Sequence, residues 1–300
     1  MEVVETHKTV LLKEAVEALN LAPQSVVVDA TGGAGGHSAQ ILSVLQSQGT
    51  LIVFESDQNM VAKLRVRLGT PDAQLHILPK NFRTIASSLV DLGLTKVDAV
   101  LADLGWNSEQ FEGGGRGFSF KRDEPLLMTY GDPASAPFTA QDVVNTWSEG
   151  ALADALYAYA DERYARRIAR TIIEERMREP ITTTTRLVAC IEKAVPPAYR
   201  RGRIHPATKT FQALRIAVND EFDALRDFIA GSLSVLGQGG VLAIITFHSI
   251  EDRIVKDAFR TAARDGKGTI LTKKPITPTD EEIAMNPRAR SAHLRIFHTT

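Results

Sequence analysis

Cysteine is nearly absent from this chain of 300 residues, and the sequence also shows no signal peptide and no membrane-spanning run. The one cysteine, Cys190, cannot support a disulfide framework or a cysteine-built zinc site. It is predicted to be a packed apolar residue in a reducing compartment. Residues 1–10 contain charges and no apolar core, so no signal peptide is predicted. No apolar run approaches the ~20 residues of a membrane span. We therefore expect a soluble, cytoplasmic protein without a membrane partner.

The chain also lacks net charge of either sign. Lys and Arg number 35 against 36 Asp and Glu, which gives a formal net charge of −1. No global basic field points to nucleic acid, so such a partner would have to be held by local patches. Internal repeats and low-complexity tracts are lacking as well, and the sequence shows no constellation of metal ligands.

Short β-rich runs are present, and they alternate with helical patterns over the first hundred residues. Strands are predicted at Ser25–Ala30, Thr50–Glu55 and Lys96–Asp103, with a weaker strand near Leu75–Leu78. This alternation predicts βαβ units and a parallel sheet. The apolar runs are continuous, as in strands that are covered on both faces.

A helical region interrupts this pattern. One long helix is predicted from about Leu152 to Arg178 and another from about Thr208 to Ala230, before a buried strand at Gly240–Phe247. We predict an α/β fold, a Rossmann-like core interrupted by an all-helical insertion. The predicted domains are an α/β domain of residues 1–111 and 216–300, and a helical insertion of residues 112–215.

A glycine-rich turn follows the first predicted strand. After Asp29 the chain reads ATGGAGGH, and such a turn lets a ligand approach the backbone closely. The dinucleotide fingerprint G-x-G-x-x-G fits poorly, because its last position, counted from Gly33, is Ser38. A site for S-adenosylmethionine (SAM) needs the same close approach without a pyrophosphate. A turn that merely packs a helix on a strand is the alternative.

Acidic residues end three predicted strands. Asp29 ends the first, Glu55 the second about twenty residues later, and Asp103 the fourth. An acid at the second strand end can accept both ribose hydroxyls. Open α/β sheets bind ligands at the carboxyl ends of their strands. Helix capping or loop polarity would explain any one of these acids alone, but three together favour a ligand site.

Several long segments resemble those of a known family. They are HKTVLLKEAVEAL, VDATGGAGGHSAQIL, ADLG, RGFSF, HPATKTFQALRIAVNDEF, FHSIEDRIVK and NPRARSAHLRIF, which extend from His7 to Phe297. The chain is similar to the bacterial 16S rRNA (cytosine-N4)-methyltransferases, the RsmH or MraW family. The resemblance implies SAM-dependent methylation of a cytidine N4 in the decoding region of the small ribosomal subunit. It implies a class I methyltransferase core with an inserted helical domain, and it leaves the oligomeric state open, with a homodimer as one alternative.

The resemblance also implies a set of cofactor contacts, with Phe82 against the adenine. The implied SAM contacts are Gly35, Gly36, His37, Glu55, Phe82, Asp103 and Gln110. From the sequence alone, a core aromatic would be the better interpretation of Phe82.

The chain departs from the family pattern in three places. Glu55 stands where the family usually has Asp, and the family's DLGVSS reads DLGWNS from Asp103. After RGFSF, the family's LDMRMD is LLMTYG over residues 126–131. An acid and a base are lost from this loop, so contacts to the target nucleotide are more affected than the SAM chemistry.

Methylation of a cytosine amino group needs an acceptor for its proton, because the nitrogen lone pair is delocalised into the ring. We expect Asp103, or a near neighbour such as Asn107 or Ser108, to supply it, and Trp106 to stack on the base. His248, after the fifth predicted strand, is a second candidate base. Its alternative is a helix N-terminus, in which Ser249 caps and an acid occupies the first turn.

Two locally basic stretches predict RNA contacts. The first contains Arg186, Lys193, Arg200, Arg201, Arg203, Lys209 and Arg215, and the second Lys273, Lys274, Arg288, Arg290 and Arg295. Asn219, in mid-helix, is a weaker candidate for the substrate pocket. A solvated surface is the alternative for each stretch. A Rossmann dehydrogenase and a catalytically altered RNA-binding member of the same fold remain as rival functions.

Overall fold

The computed structural model describes residues 8–104 and 115–300, and its central element is a seven-stranded sheet within those ranges. The strand order is β3-β2-β1-β4-β5-β7-β6. The strands are β1 Val26–Asp29, β2 Thr50–Phe54, β3 Gln74–Leu78, β4 Val97–Asp103, β5 Leu236–Thr246, β6 Gly268–Ile270 and β7 His293–Thr299. Strands β1 to β5 are parallel, whereas β7 runs antiparallel to both β5 and β6. The predicted α/β fold is confirmed.

Helices form most of the other regular structure in the described ranges. They are α1 Leu12–Ala18, α2 Gly36–Leu42, α3 Gln58–Leu68, α4 Ile85–Asp91, α5 Ala140–Thr146, α6 Glu149–Ala160, α7 Ala165–Arg176, α8 Thr184–Ala194, α9 Pro197–Arg200, α10 Ala207–Asn219, α11 Glu221–Val235, α12 Ser249–Arg264 and α13 Asp280–Met285. None of the helices in the described ranges is long and apolar enough to span a bilayer.

Strand β2 shows why the apolar runs are continuous. Leu51 and Val53 belong to the apolar cluster on one face of the sheet, while Ile52 and Phe54 belong to the cluster on the other. All four side chains are fully buried. Both faces of the parallel strands are therefore covered, which leaves the strand ends as the part of the sheet that a ligand can approach.

The chain divides into two compact units. One consists of residues 1–107 and 222–300 and holds the sheet, and the other consists of residues 108–221. The second unit contains all of α10, whose last residues the sequence assigned to the first domain. In the described part of this second unit the regular elements are helical, and one isolated bridge joins Pro125 to Thr183.

Two long helices predicted from the sequence are each broken in the structure. The helix predicted from Leu152 to Arg178 is α6 and α7, because Asp161 takes a left-handed conformation with φ 48°. The second break, at Asp220 with φ 50°, separates α10 from α11. Aspartate tolerates this conformation better than most residues do. Apolar periodicity did not reveal the first break, because the i+4 stripe continues through it as buried residues on both helices.

Candidate active site

The turn after β1 is organised by the buried carboxylate of Asp29. Its Oδ2 accepts a hydrogen bond from Ser38 Oγ at 2.6 Å, and its Oδ1 accepts one from the Thr31 N–H at 3.1 Å. Complete burial raises the pKa of Asp29, while these two hydrogen bonds act in the opposite direction. Asp29 therefore ties the strand end to the start of α2.

The glycines of this turn are required by both conformation and space. Gly33 and Gly35 have φ values of 48° and 83°, in the left-handed region that favours glycine. A Cβ at Gly36 would overlap Thr9 Oγ1, and one at Gly32 would lie 2.6 Å from Val53 Cγ1. Gly32 and Gly36 are therefore required by neighbouring protein side chains, as the packing alternative expects, and the close approach of a cofactor stays a prediction.

Glu55, directly after β2, is bonded to the same turn. Its Oε2 accepts from the Gly33 N–H at 3.0 Å and its Oε1 from the Asp57 N–H at 2.8 Å. The residue is 9% exposed. Each carboxylate oxygen has a second lone pair, so these bonds orient Glu55 and leave it able to accept hydroxyl donors.

Asp103 ends β4 beside this turn. Its backbone N–H donates to Thr31 Oγ1 at 2.7 Å, and its Oδ2 lies 3.7 Å from His37 Nδ1. The side chains of His37 and Asp103 are 5% and 17% exposed. The structure therefore brings the glycine turn, His37, Glu55 and Asp103 to one edge of the sheet.

Other predicted site residues are placed less closely or are not described. Phe82 lies in a 3-10 turn after β3, with its ring centroid 5.2 Å from that of Phe228 in an edge-to-face arrangement. The adenine contact of Phe82 stays a prediction. The described residues do not include Trp106, Asn107 or Gln110, so the roles predicted for these three stay predictions.

His248 caps α12, so the prediction that Ser249 is the cap is wrong. His248 Nδ1 accepts from the Glu251 N–H at 3.3 Å, and Glu251 Oε2 accepts from the Phe247 and His248 N–H groups. A histidine nitrogen serves as an N-cap acceptor only when it carries no proton. His248 is therefore a structural part of the helix start, and its role as a second candidate base stays a prediction.

In the second unit, Asn219 forms hydrogen bonds to the loop of residues 126–131, where the chain departs from the family pattern. Its Nδ2 donates to Met128 O at 2.7 Å, and its Oδ1 accepts from the Tyr130 N–H at 2.8 Å. The same Nδ2 donates to Arg215 O within its own helix. Met128 is buried with φ 55°, so the carboxamide supports an unfavourable backbone conformation. Sequence reasoning treated Asn219 as a pocket residue and missed this contact.

The basic stretches are partly used inside the protein. Arg215 is 3% exposed and binds Glu221 through Nε and Nη2, and Arg295 is 6% exposed and binds Asp252 in the same way. The inclusion of Arg215 and Arg295 in RNA-binding patches is therefore wrong, because buried, paired guanidinium groups cannot reach phosphate.

The remaining basic residues are more accessible. Arg200, Arg201 and Arg203 are exposed, and Lys209 Nζ donates to Asp161 O at 2.8 Å. Arg186 and Lys193 form ion pairs with Glu179 and Glu175. The exposed arginines at the end of α9 thus form the core of the predicted patch.

The lone cysteine is buried, as predicted. Cys190 is 4% exposed, and burial raises the pKa of its thiol to about 11. Such a thiol is unreactive near neutral pH. In the described ranges, no three His, Cys, Asp or Glu side chains converge as metal ligands.

The sheet order, with antiparallel β7 between β5 and β6, together with a glycine turn and acids at the carboxyl edge, defines a class I methyltransferase fold. The model of the MraW methylase family matches residues 4–300. The chain belongs to the MraW methylase family, as its motifs predict.

Curated relatives support this membership over nearly the whole chain. A ribosomal RNA small subunit methyltransferase H from Clostridioides difficile (strain 630) is 42% identical and covers 97% of both chains. Another protein of that name, from Brevibacillus brevis, is 41% identical over 97% of this chain and 96% of its own. A solved rRNA methylase from Streptococcus thermophilus, with a TM-score of 0.45 and 11% identity over 98% and 99% of the chains, is too distant to bear on function.

Proposed function

We propose that this protein transfers a methyl group from SAM to N4 of a cytidine in the decoding region of 16S rRNA. The name that its relatives carry, ribosomal RNA small subunit methyltransferase H, supports the substrate. The observation that carries the proposal is the convergence of the glycine turn, Glu55 and Asp103 at one edge of the sheet. The small ribosomal subunit is the implied partner.

The residues at this edge fit SAM. The turn around Gly35 and Gly36 has no room for side chains of its own, and Gly33 and Gly35 hold the left-handed backbone of the proposed cofactor loop. Glu55 is oriented by two backbone amides and can accept the ribose hydroxyls. His37 and Phe82 complete the described part of the proposed pocket, and Gln110 adds a contact from the family pattern. When bound, SAM supplies a methyl group on a sulfonium, which is open to in-line displacement.

The protein itself must position the amino nitrogen and remove its proton. Positioning requires a nucleophile held at about 3–3.5 Å from the methyl carbon. We assign Asp103 as the acceptor, because it is partly exposed at the sheet edge and its backbone is fixed by Thr31. Asn107 and His248 remain alternative acceptors.

The helical unit is the proposed site of substrate recognition. Arg200, Arg201 and Arg203 are exposed and would contact phosphates together with Lys209. Asn219 would act through the loop it supports. The target base must leave its stack to be methylated, and Trp106 is proposed to stack on it.

The test is methylation of unmethylated small subunits with labelled SAM, followed by mass spectrometry of the nucleosides. N4-methylcytidine is expected. Asp103→Asn should lower kcat by about 10²–10⁴-fold, well beyond any loss of SAM affinity from the contact that the family pattern implies for Asp103. Asp91→Asn, which changes an exposed carboxylate paired with Lys80, is the matched control and should behave as wild type.

Two results would contradict the proposal. Wild-type turnover in Asp103→Asn would remove Asp103 as the acceptor. Tight binding of subunits without any methyl transfer by the wild type would instead favour a catalytically altered RNA-binding protein, in line with the changed loop at residues 126–131.

A further inference from the structure

One exposed arginine of the helical unit lies against a pair of tyrosine rings. The guanidinium carbon of Arg163, in the turn between α6 and α7, lies 4.9 Å from the ring centroid of Tyr164 and 4.8 Å from that of Tyr199. The two rings meet edge to face, with their centroids 4.9 Å apart. The two distances from the guanidinium carbon to the ring centroids are within the range of cation–π attraction. The guanidinium is thus held in place although the residue is exposed.

A buried carboxylate fixes the two tyrosines. Glu162 is fully buried, and its Oε2 accepts from Tyr199 Oη at 2.7 Å while its Oε1 accepts from the Tyr164 N–H at 2.8 Å. Burial, with the Glu162 carboxylate, raises the pKa of Tyr199, so its hydroxyl stays a donor. A side chain on the surface is therefore supported from inside the helical unit.

This arrangement joins two basic segments that are far apart in sequence. Tyr199 directly precedes Arg200 in α9, and the guanidinium carbon of Arg167 lies 5.8 Å from the Tyr164 ring centroid. The side chains of Arg163, Arg166 and Arg167 are all exposed. The exposed charge near α9 is therefore larger than the sequence patch alone.

We propose that Arg163 is an RNA-binding residue that donates hydrogen bonds to a backbone phosphate of the rRNA substrate. The planar guanidinium matches two phosphate oxygens, and its two tyrosine neighbours reduce the side-chain entropy lost on binding. Aromatic rings beside the guanidinium suit RNA better than an acidic protein, since exposed bases can stack on them. This inference rests on the proposed function, because it takes rRNA as the substrate.

The test compares Arg163→Ala, Arg163→Gln and Arg163→Lys in binding to protein-free 16S rRNA and in methylation of small subunits. Ala and Gln should each weaken rRNA binding and raise KM about tenfold, with kcat unchanged. The slope of log affinity against log salt should fall by about one. Lys should lie in between, because it keeps the charge and loses the planar fork. Arg178→Ala, an exposed arginine of the same unit paired with Glu175, is the matched control.

Each outcome decides the assignment. Wild-type affinity in Arg163→Gln, with an unchanged melting temperature, would overturn it. Weaker binding to subunits but not to protein-free rRNA would also overturn it, in favour of a contact with a ribosomal protein. A wild-type protein that binds rRNA in an Arg163-dependent way but transfers no methyl group would refute the proposed reaction and leave this contact standing.

Discussion

At the scale of single residues, buried polar side chains set the geometry of the sheet edge. Asp29, which the sequence grouped with the acids of a ligand site, is buried, and its hydrogen bonds and that of Thr31 Oγ1 connect β1, β4 and α2. Thr31 was missed by sequence reasoning because a threonine in a glycine-rich turn gives no signal of its own. Its role depends on β4, which lies about 70 residues later in the chain.

Asp29 gives a prediction about pH. Its pKa is raised above 3.8 in the folded protein, so the folded state binds more protons than the unfolded one. The stability contributed by the protonated form is therefore lost as pH rises from about 4 through the raised pKa. Asp29→Asn, which keeps the shape and both hydrogen-bond partners, should gain stability relative to the wild type over that range.

Urea unfolding of both proteins at several pH values between about 4.5 and 7.5 measures this difference. Ser87→Ala, an exposed position on α4, controls for effects of mutation alone. A stability difference between wild type and Asp29→Asn that does not change with pH would show that Asp29 is ionised in both states.

At the scale of elements, the start of α2 allows a sharp comparison between two glycines. Gly36→Ala would push a methyl group into Thr9, whereas Gly150→Ala meets no atom within 4 Å in α6. We expect Gly36→Ala to weaken SAM binding at least tenfold or to destabilise the fold. Gly150→Ala should stabilise the protein by about 0.4–1 kcal/mol. Calorimetric SAM titration and thermal unfolding measure both effects, and equal SAM affinity in the two variants would contradict the close-approach argument.

A second prediction concerns the contact between α12 and β7. Asp252 binds Arg295 through two hydrogen bonds of 2.6 and 2.8 Å, and Arg295 is buried. Asp252→Ala would leave a buried guanidinium unpaired and should cost about 3 kcal/mol. Asp223→Ala removes an exposed partner of Arg226 and should cost less than about 1 kcal/mol. Chemical denaturation measures both, and similar costs would show that the buried pair contributes no more than the surface pair.

The sequence predicted elements better where the pattern is local. Strand β2 was found because a continuous apolar run acts within one element. The breaks at Asp161 and Asp220 were missed, since one left-handed residue does not disturb an apolar stripe. The pairing of Arg295 could not be foreseen either, because its partner lies 43 positions away.

At the scale of the whole molecule, the positive and negative charges nearly cancel in total, but they are unevenly distributed along the chain. The formal net charge is −1, yet Arg200, Arg201 and Arg203 lie within four positions and are exposed. Reversing all three to Glu should strongly reduce methylation of small subunits while the melting temperature changes little. The loss should be largest at low salt and shrink as salt is added, since screening weakens both the attraction of the wild-type arginines and the repulsion of the introduced glutamates. Subunit methylation at two salt concentrations measures this, and unchanged activity would remove these arginines from the RNA surface.

The class of the fold and the family were predictable from the sequence, and the detailed site was only partly so. Glycine turns and acids at strand ends leave local signals, as Gly35 and Glu55 show. The distinction between an arginine on the surface and one in a buried pair, as between Arg201 and Arg215, depends on tertiary contacts that no local pattern contains.

The order of the sheet has a consequence for biosynthesis. Strand β4 pairs with β5, but about 130 residues separate the end of one from the start of the other. At ~5–20 residues per second, translation leaves the inner edge of β4 without its partner for roughly 7–26 seconds. An unpaired apolar strand is prone to aggregation. Independent folding of the intervening helices, or shielding by a chaperone, would protect the nascent chain until β5 emerges from the exit tunnel.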